Sequence, residues 1–488
     1  MKKIIYLLSP LLFICINSYA QTEKDLEDDF LNYQKSEEQK FKKYKDDRDK
    51  EFASFLKQDW KIIKTTKGHK ASYAKPKPTI LPKVAKTKPL NIPAQKIGII
   101  KTEIKKVPIS KRNIPSPKPI KEEKKHPVSE ITVDFYNTKF LFTYDQKFIV
   151  YLDRYDEKSI AKYWELLSTT QYYSFLTQTL NIKKTHHLND WAYYVLLRKI
   201  SEKLYKKTAL NEQNLFIWYL LSKAGYQCNV ARINNNSIAL LAPFKNTVYN
   251  KPSVTINNKN FYIITPYQQG DKVYTYKNKY PDTHLVLDLN IYQPILLGTA
   301  TTEKQLKFKN GTKMELVNVS YNPNNMLFYQ DILHSDFSLY FGASVNKTTE
   351  ETLLKQLKLI IKDQNIDKAL NTLLHFVQLS FEYKTDGEQF GYEKYFFVEE
   401  LFHYQYSDCE DRSILFSYLT KKLLNLEVIG LEFPGHLATA VLVNQNIKGD
   451  YILYKDKRYL VCDPTYINAD IGMTMPQYKN SKITVIEL

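Results

Sequence analysis

The sequence predicts an α+β chain built from two related folded units, and three observations point there. First, 488 residues exceed what one ordinary hydrophobic core can organise, and 38 Tyr and 25 Phe supply aromatic-rich interiors. Second, the order helix, helix, strand, strand, strand occurs once after Trp191, with L-F-I-W-Y-L-L-S-K-A-G-Y-Q-C-N-V-A-R-I, I-A-L-L-A-P-F and F-Y-I-I-T-P. Third, it returns near the C-terminus with A-L-N-T-L-L-H-F-V-Q-L-S-F-E-Y, I-L-F-S-Y-L-T-K-K-L-L-N-L-E-V-I-G-L, A-T-A-V-L-V and R-Y-L-V-C-D-P. Setting Tyr219 beside Tyr418 brings Val230 beside Ile429 and Thr265-Pro266 opposite Asp463-Pro464, which we read as an internal duplication.

In chain order, residues 1–20 combine Met1-Lys2-Lys3, an apolar run from Ile4 to Ile16 and Ser18-Tyr19-Ala20, the pattern of a signal peptide cut after Ala20. The run is short for a spanning helix and Pro10 interrupts it, so we expect a periplasmic or secreted chain rather than an anchored one. Over 21–64 the aromatics Phe30, Tyr33, Phe41, Tyr44, Phe52 and Phe55 repeat as pairs every 11 residues, the spacing of one stripe on a nearly straight amphipathic helix. Such a stripe packs on the protein's own body or on a second copy, so this helix is also the candidate oligomerisation element.

Residues 65–129 are rich in Lys and Pro and poor in aromatics, a composition that cannot offset its ordering entropy and predicts a disordered, extended basic linker. Residues 130–285 form the first α+β unit. Residues 286–348, with F-S-L-Y-F-G and Q-L-K-F, read as a β-rich connector, and 349–488 form the second unit.

The charge balance of 70 Lys and Arg against 52 Asp and Glu gives +18. Export argues against a nucleic-acid partner; an anionic envelope surface engaged by the basic linker fits better. Removing the leader leaves Cys228, Cys409 and Cys462, an odd number in an oxidising compartment, so one thiol stays free. Cys228 and Cys462 read as core thiols in strands, with a Cys228–Cys462 bridge between the two units as the alternative. No Gly-rich nucleotide loop, Asp-rich calcium loop or His-rich cluster stands out, so we expect neither cofactor nor metal.

Y-S-D-C-E-D-R-S, from Tyr406 to Ser413, precedes an apolar run. Ser407 and Glu410 have the form of a capping box, placing Cys409 in the first helical turn, where the helix dipole favours a thiolate. Asp408, Glu410 and Asp411 oppose that charge, so a cationic partner is needed. His436 follows Pro434-Gly435 at the start of a strand, and Asp463 ends a later strand in Y-L-V-C-D-P-T, where antiparallel pairing can bring the two together. A thiol, an imidazole and an orienting carboxylate are the requirements of covalent acyl transfer; taken singly, each has a structural reading as core thiol, turn histidine and strand terminator.

Together C-E-D-R, P-G-H-L-A and D-P-T resemble the transglutaminase-like superfamily of papain-like cysteine enzymes, over roughly the last 130 residues. The resemblance implies a cysteine-bearing helix packed on an antiparallel sheet, with Cys409 as nucleophile, His436 as general base and acid, and Asp463 orienting the histidine. It makes the first unit a degenerate relative. It implies a protein or peptide substrate attacked at an amide, with hydrolysis and transfer to an amine both open. Gln378, with Gln389 behind it, is the candidate oxyanion donor beside the Cys409 N–H, and the loop from Asp386 to Tyr406, with Phe390, Tyr392, Tyr395 and Phe396, the candidate cleft wall. The competing expectation is an envelope binding or scaffold protein that keeps the fold without turnover.

Overall fold

The computed structural model describes residues 36, 40, 43–68, 95–103 and 128–488, apart from 235, 269 and 444–446. The leader, Phe30, Tyr33, Phe41 and most of the linker lie outside the described residues. The chain is α+β, as the patterning predicts, with mainly antiparallel sheets. Among the described residues no helix is long and apolar enough to cross a membrane.

The two halves share a hairpin, a long helix on it, a central helix and five sheet strands in the same order. Each opens with a hairpin, Val128–Phe135 with Thr138–Asp145 in the first and Thr302–Asn310 with Lys313–Tyr321 in the second. In each, a long helix with an Asn N-cap packs on that hairpin: Asp190–Leu204 behind Asn189, and Ile366–Ser380 behind Asn365. A central helix follows, Leu210–Lys223 or Cys409–Leu424, and then a sheet.

The first sheet runs Val273–Thr275, Asn229–Ile233, Ser237–Ala242, Lys259–Ile263, Ser253–Ile256; the second runs Ile483–Glu487, Val428–Phe433, His436–Leu442, Lys457–Cys462, Tyr451–Tyr454. The strand order is the same. The expected connector is therefore only partly β: 286–348 holds the second half's own hairpin and the helices Pro323–Asp331 and Phe337–Phe341. F-S-L-Y-F-G proves helical because Asp336 caps it, its side chain accepting from Ser338 N, and Phe337, Leu339 and Tyr340 are all buried.

The sequence reading of 21–64 and 65–129 needs correction. The helix ends at residue 56, and the chain then supplies Lys61–Ile63 to one edge of the first sheet and Thr65–Thr66 to the other. Further along the linker, Ile99–Glu103 pairs in parallel with Ile483–Glu487 at the edge of the second sheet. Gln95 N donates to Asp450 Oδ1 at 3.1 Å, and Ile97 is buried against the outer face of that sheet. The physical reason is local: I-G-I-I at 97–100 is apolar, and an uncovered strand edge offers it a full row of backbone partners.

The described part of the aromatic stripe is spent on the chain's own body. Phe52 packs edge-on to Trp164 with centroids 4.7 Å apart, while Tyr44 stays exposed. Beside it, Asp49 accepts from Trp164 Nε1 at 3.1 Å and from Tyr280 OH at 3.0 Å, and pairs with Lys223. Burial lowers the Lys223 ammonium to about 8 against the pull of Asp49, and the rings of Tyr280, Tyr172 and Trp164 stand 4.6–5.0 Å from its nitrogen.

Removing one partner of a buried pair leaves an uncompensated charge, so Asp49→Ala should cost about 3 kcal/mol in urea unfolding and expose the 43–60 segment to limited proteolysis. A loss below about 1 kcal/mol would mean the pair does not hold the helix in place.

Candidate functional site

The sheet of the second half and the helix Cys409–Leu424 bring two of the predicted residues into direct contact and the third alongside. Phe433 pairs with His436 across Pro434-Gly435, and Gly435 has φ +72°, the left-handed conformation that a Pro-Gly turn places at its glycine. The turn delivers the imidazole to the first position of its strand. Asp463 follows directly on the strand Lys457–Cys462, the neighbour of His436–Leu442. His436 Nε2 lies 2.9 Å from Asp463 Oδ2, both side chains being 2% exposed.

Asp463 is itself fixed, because Thr465 N and Tyr466 N donate to its Oδ1 at 2.9 and 3.2 Å. The imidazole stacks on Tyr478, with centroids 5.0 Å apart and planes 10° from parallel, and Phe433 lies 6.0 Å away.

Cys409 opens its helix, as expected, but the cap falls one residue later than predicted. Asp408 is the N-cap, and its N–H donates to Asp411 Oδ2 at 3.2 Å. Ser407 is unavailable because it pairs with Tyr383 in a short parallel ladder and its hydroxyl accepts from Arg412 Nε at 3.1 Å. The helix start lies against the histidine strand: Ser413 Oγ donates to Leu437 O at 3.0 Å, and the Leu437 N–H faces the Cys409 sulfur. The thiol donates to Glu410 Oε2 at 2.7 Å, and among the described residues no hydrogen bond joins it to the His436 ring. Burial first, then Glu410 and Asp408, pushes the thiol well above its ordinary range.

Gln378, the candidate oxyanion donor, has its amide bonded to the segment that follows Asp463. Its Nε2 donates to Asp463 O and Ala469 O, both at 3.0 Å, and its Oε1 accepts from Asn468 N at 3.0 Å. Both N–H donors of the amide are spent on the 463–469 loop, so Gln378 braces the backbone of Asp463 and keeps no free N–H for an oxyanion. Gln389 ends the short helix Asp386–Gln389 and is half-buried. The expected cleft wall is also largely core: Tyr395 and Phe396 are buried, Tyr395 on Phe337 and Phe396 on Tyr404, while Tyr392 is 60% exposed. Cys228 and Cys462 are free buried thiols, not a bridge; Cys228 donates to Trp218 O and Cys462 to Leu460 O.

Sequence reading missed what surrounds the sulfur. Asp386, Asp408 and Glu410 are buried, and one carboxylate oxygen from each falls within 4.8 Å of the other two. Asp408 and Glu410 flank the cysteine in the chain, but Asp386 comes from the inserted loop, and no spacing announces it. Burial first, with nearby carboxylates adding to it, raises all three, Glu410 to about 7 and Asp386 to about 11. Arg412, buried next to them and lowered to about 10 by that burial, gives its strong bonds to Ser407 Oγ and Phe381 O.

In the first half, the positions matching Cys409, His436 and Asp463 hold Leu210, Ser237 and Thr265, at the start of the helix, at the start of the strand and just past the strand end. None of them is a thiol, an imidazole or a carboxylate. Comparison with protein-family models, curated proteins and solved structures finds no match to the chain.

Two outcomes follow from these bonds. Gln378→Ala strands two carbonyls and an N–H in the interior, so it should destabilise the fold by at least about 2 kcal/mol in denaturant melts; an unchanged melt would restore a role for its amide away from this loop. Glu410 is raised in the fold above an ordinary carboxyl, so the folded state binds its proton more tightly than the unfolded chain does. Its stabilising contribution is complete below about 4.3 and lost as pH rises through about 7. The melting midpoint should fall between pH 5 and 8, and Glu410→Gln should flatten that fall.

Proposed function

We propose that the chain is an exported cysteine-dependent acyl-transfer enzyme of the transglutaminase-like kind, acting on amide bonds of a protein or peptide substrate. The observation that carries the reading is the buried His436–Asp463 pair at 2.9 Å, on the strand against which the start of the Cys409 helix is laid. What supports the reading is that an imidazole and a carboxylate from separate segments meet beside the strand that the Cys409 helix packs on.

Asp463 holds the imidazole with its proton on Nε2 and leaves Nδ1 as the base. Nδ1 takes the thiol proton as Sγ attacks the carbonyl carbon. The C–N bond then breaks, the proton passes to the departing amine, and a thioester remains on Cys409. Attack by water regenerates the thiol with a free acid; attack by a second amine gives a new amide. The Cys409 N–H at the helix start serves the oxyanion.

A second reading, a binding protein that keeps this architecture without turnover, is favoured by one observation: the thiol is bonded to Glu410 and held in its neutral form by burial and acidic neighbours. Catalysis requires that bond to open when substrate enters.

The two readings separate by mass spectrometry of the full chain incubated with a glutamine-rich peptide mixture, with and without a primary amine. The enzyme reading expects a thioester on Cys409, released by hydroxylamine, absent in Cys409→Ala and formed at least about 100-fold more slowly in His436→Ala. No adduct, together with iodoacetamide labelling of Cys409 only on unfolding, would leave the binding reading in its place.

A further inference from the structure

The three carboxylates of Asp386, Asp408 and Glu410 pose a problem that the acyl-transfer reading does not solve. They converge from two segments, the capped turn Asp386–Gln389 and the start of the Cys409 helix, into a buried space with an oxygen of each within 4.8 Å of the others. The cations beside them are committed elsewhere: Arg412 to Ser407 Oγ and to backbone carbonyls, Lys394 to Glu400. Two of the three acids have ordinary partners, Asp386 Oδ2 accepting from Lys394 N at 2.6 Å and Glu410 Oε2 from the Cys409 thiol at 2.7 Å.

Asp408 is the exception. It is wholly buried, and neither of its oxygens has a hydrogen bond of ordinary geometry; the N–H groups of Asp411 and Asp386 and the carboxyl of Glu410 face it only loosely. A carboxylate without a well-formed partner, aimed at two others in the interior, is the arrangement that a bound cation resolves.

We propose that Asp386, Asp408 and Glu410 form a binding site for one hard divalent cation, Ca²⁺, Mg²⁺ or Mn²⁺. Carboxylate oxygens are hard ligands that select these ions over softer ones, and bonds of about 2.4 Å let a single Ca²⁺ touch oxygens spaced as these are. The site is independent of whether Cys409 is a nucleophile. Occupied, it also reaches the sulfur's surroundings, because Glu410 is the residue that accepts the thiol's hydrogen bond.

The test is isothermal titration of the full chain, stripped with chelator, with each of the three chlorides in turn, accompanied by thermal melts with and without the ion. The expected result is one ion per chain and a rise of a few degrees in melting midpoint for at least one of the three. Asp408→Asn and Asp386→Asn, which keep side-chain shape, should each weaken binding at least about tenfold while retaining native circular dichroism. A folded wild type that binds none of the ions, or binding that survives both replacements unchanged, overturns the site. A melting rise that persists in Asp408→Asn likewise assigns the ion to another place.

Discussion

The buried start of the helix Cys409–Leu424 is the constraint on which the second half is organised. Four consecutive residues, Cys409 to Arg412, are all 5% exposed or less, and all four side chains are ionisable. Charges removed from water on that scale must be met by fixed partners, or the fold forfeits several kcal/mol for each. The surrounding segments are arranged accordingly: Arg412 gathers Ser407 and Phe381, and Asp411 takes the N–H groups of Phe396 and Asp408. The loop from 381 to 408 is long because it must bring these donors and acceptors around the helix start.

The first half shows what the same scaffold does without that burden. Its central helix begins at Leu210 after a five-residue link from Leu204, where the second half spends the whole of 381–408. Its sheet keeps the strand order, and Thr265, where the second half has its carboxylate, accepts a bond from Leu240 N at 3.3 Å. The repeated architecture is therefore stable with purely apolar and neutral groups at these positions. The buried acids, the arginine and the histidine of the second half carry a desolvation cost, and that cost is the argument for looking for their use.

What the sequence made legible was local and periodic. The helix and strand alternation, the Pro-Gly turn before His436 and the match of Val230 with Ile429 all rest on short-range pattern, and each corresponds to an observed element or register. Pairings that depend on distant edges were not legible. Nothing near Ile97 announces a strand until the edge at Ile483–Glu487 is present to receive it. Gln378 looks like a free amide on a helix until the 463–469 loop folds over it, and Asp386 looks like a turn residue until Asp408 and Glu410 are brought beside it. The cap at Asp408 was missed by one residue because the tertiary bond from Arg412 to Ser407 outcompetes a local motif.

The N-terminal arm reaches both halves, with strands at 61–66 on the first sheet and 99–103 on the second. A five-residue strand offered as a free peptide would hold a sheet edge weakly. Carried on the same chain, it meets that edge as an intramolecular partner, at an effective concentration that a separate peptide would have to match in bulk solution. The arm thus works as an internal clasp: the two sheets share one ligand, and loosening it at either end lowers its local supply to the other.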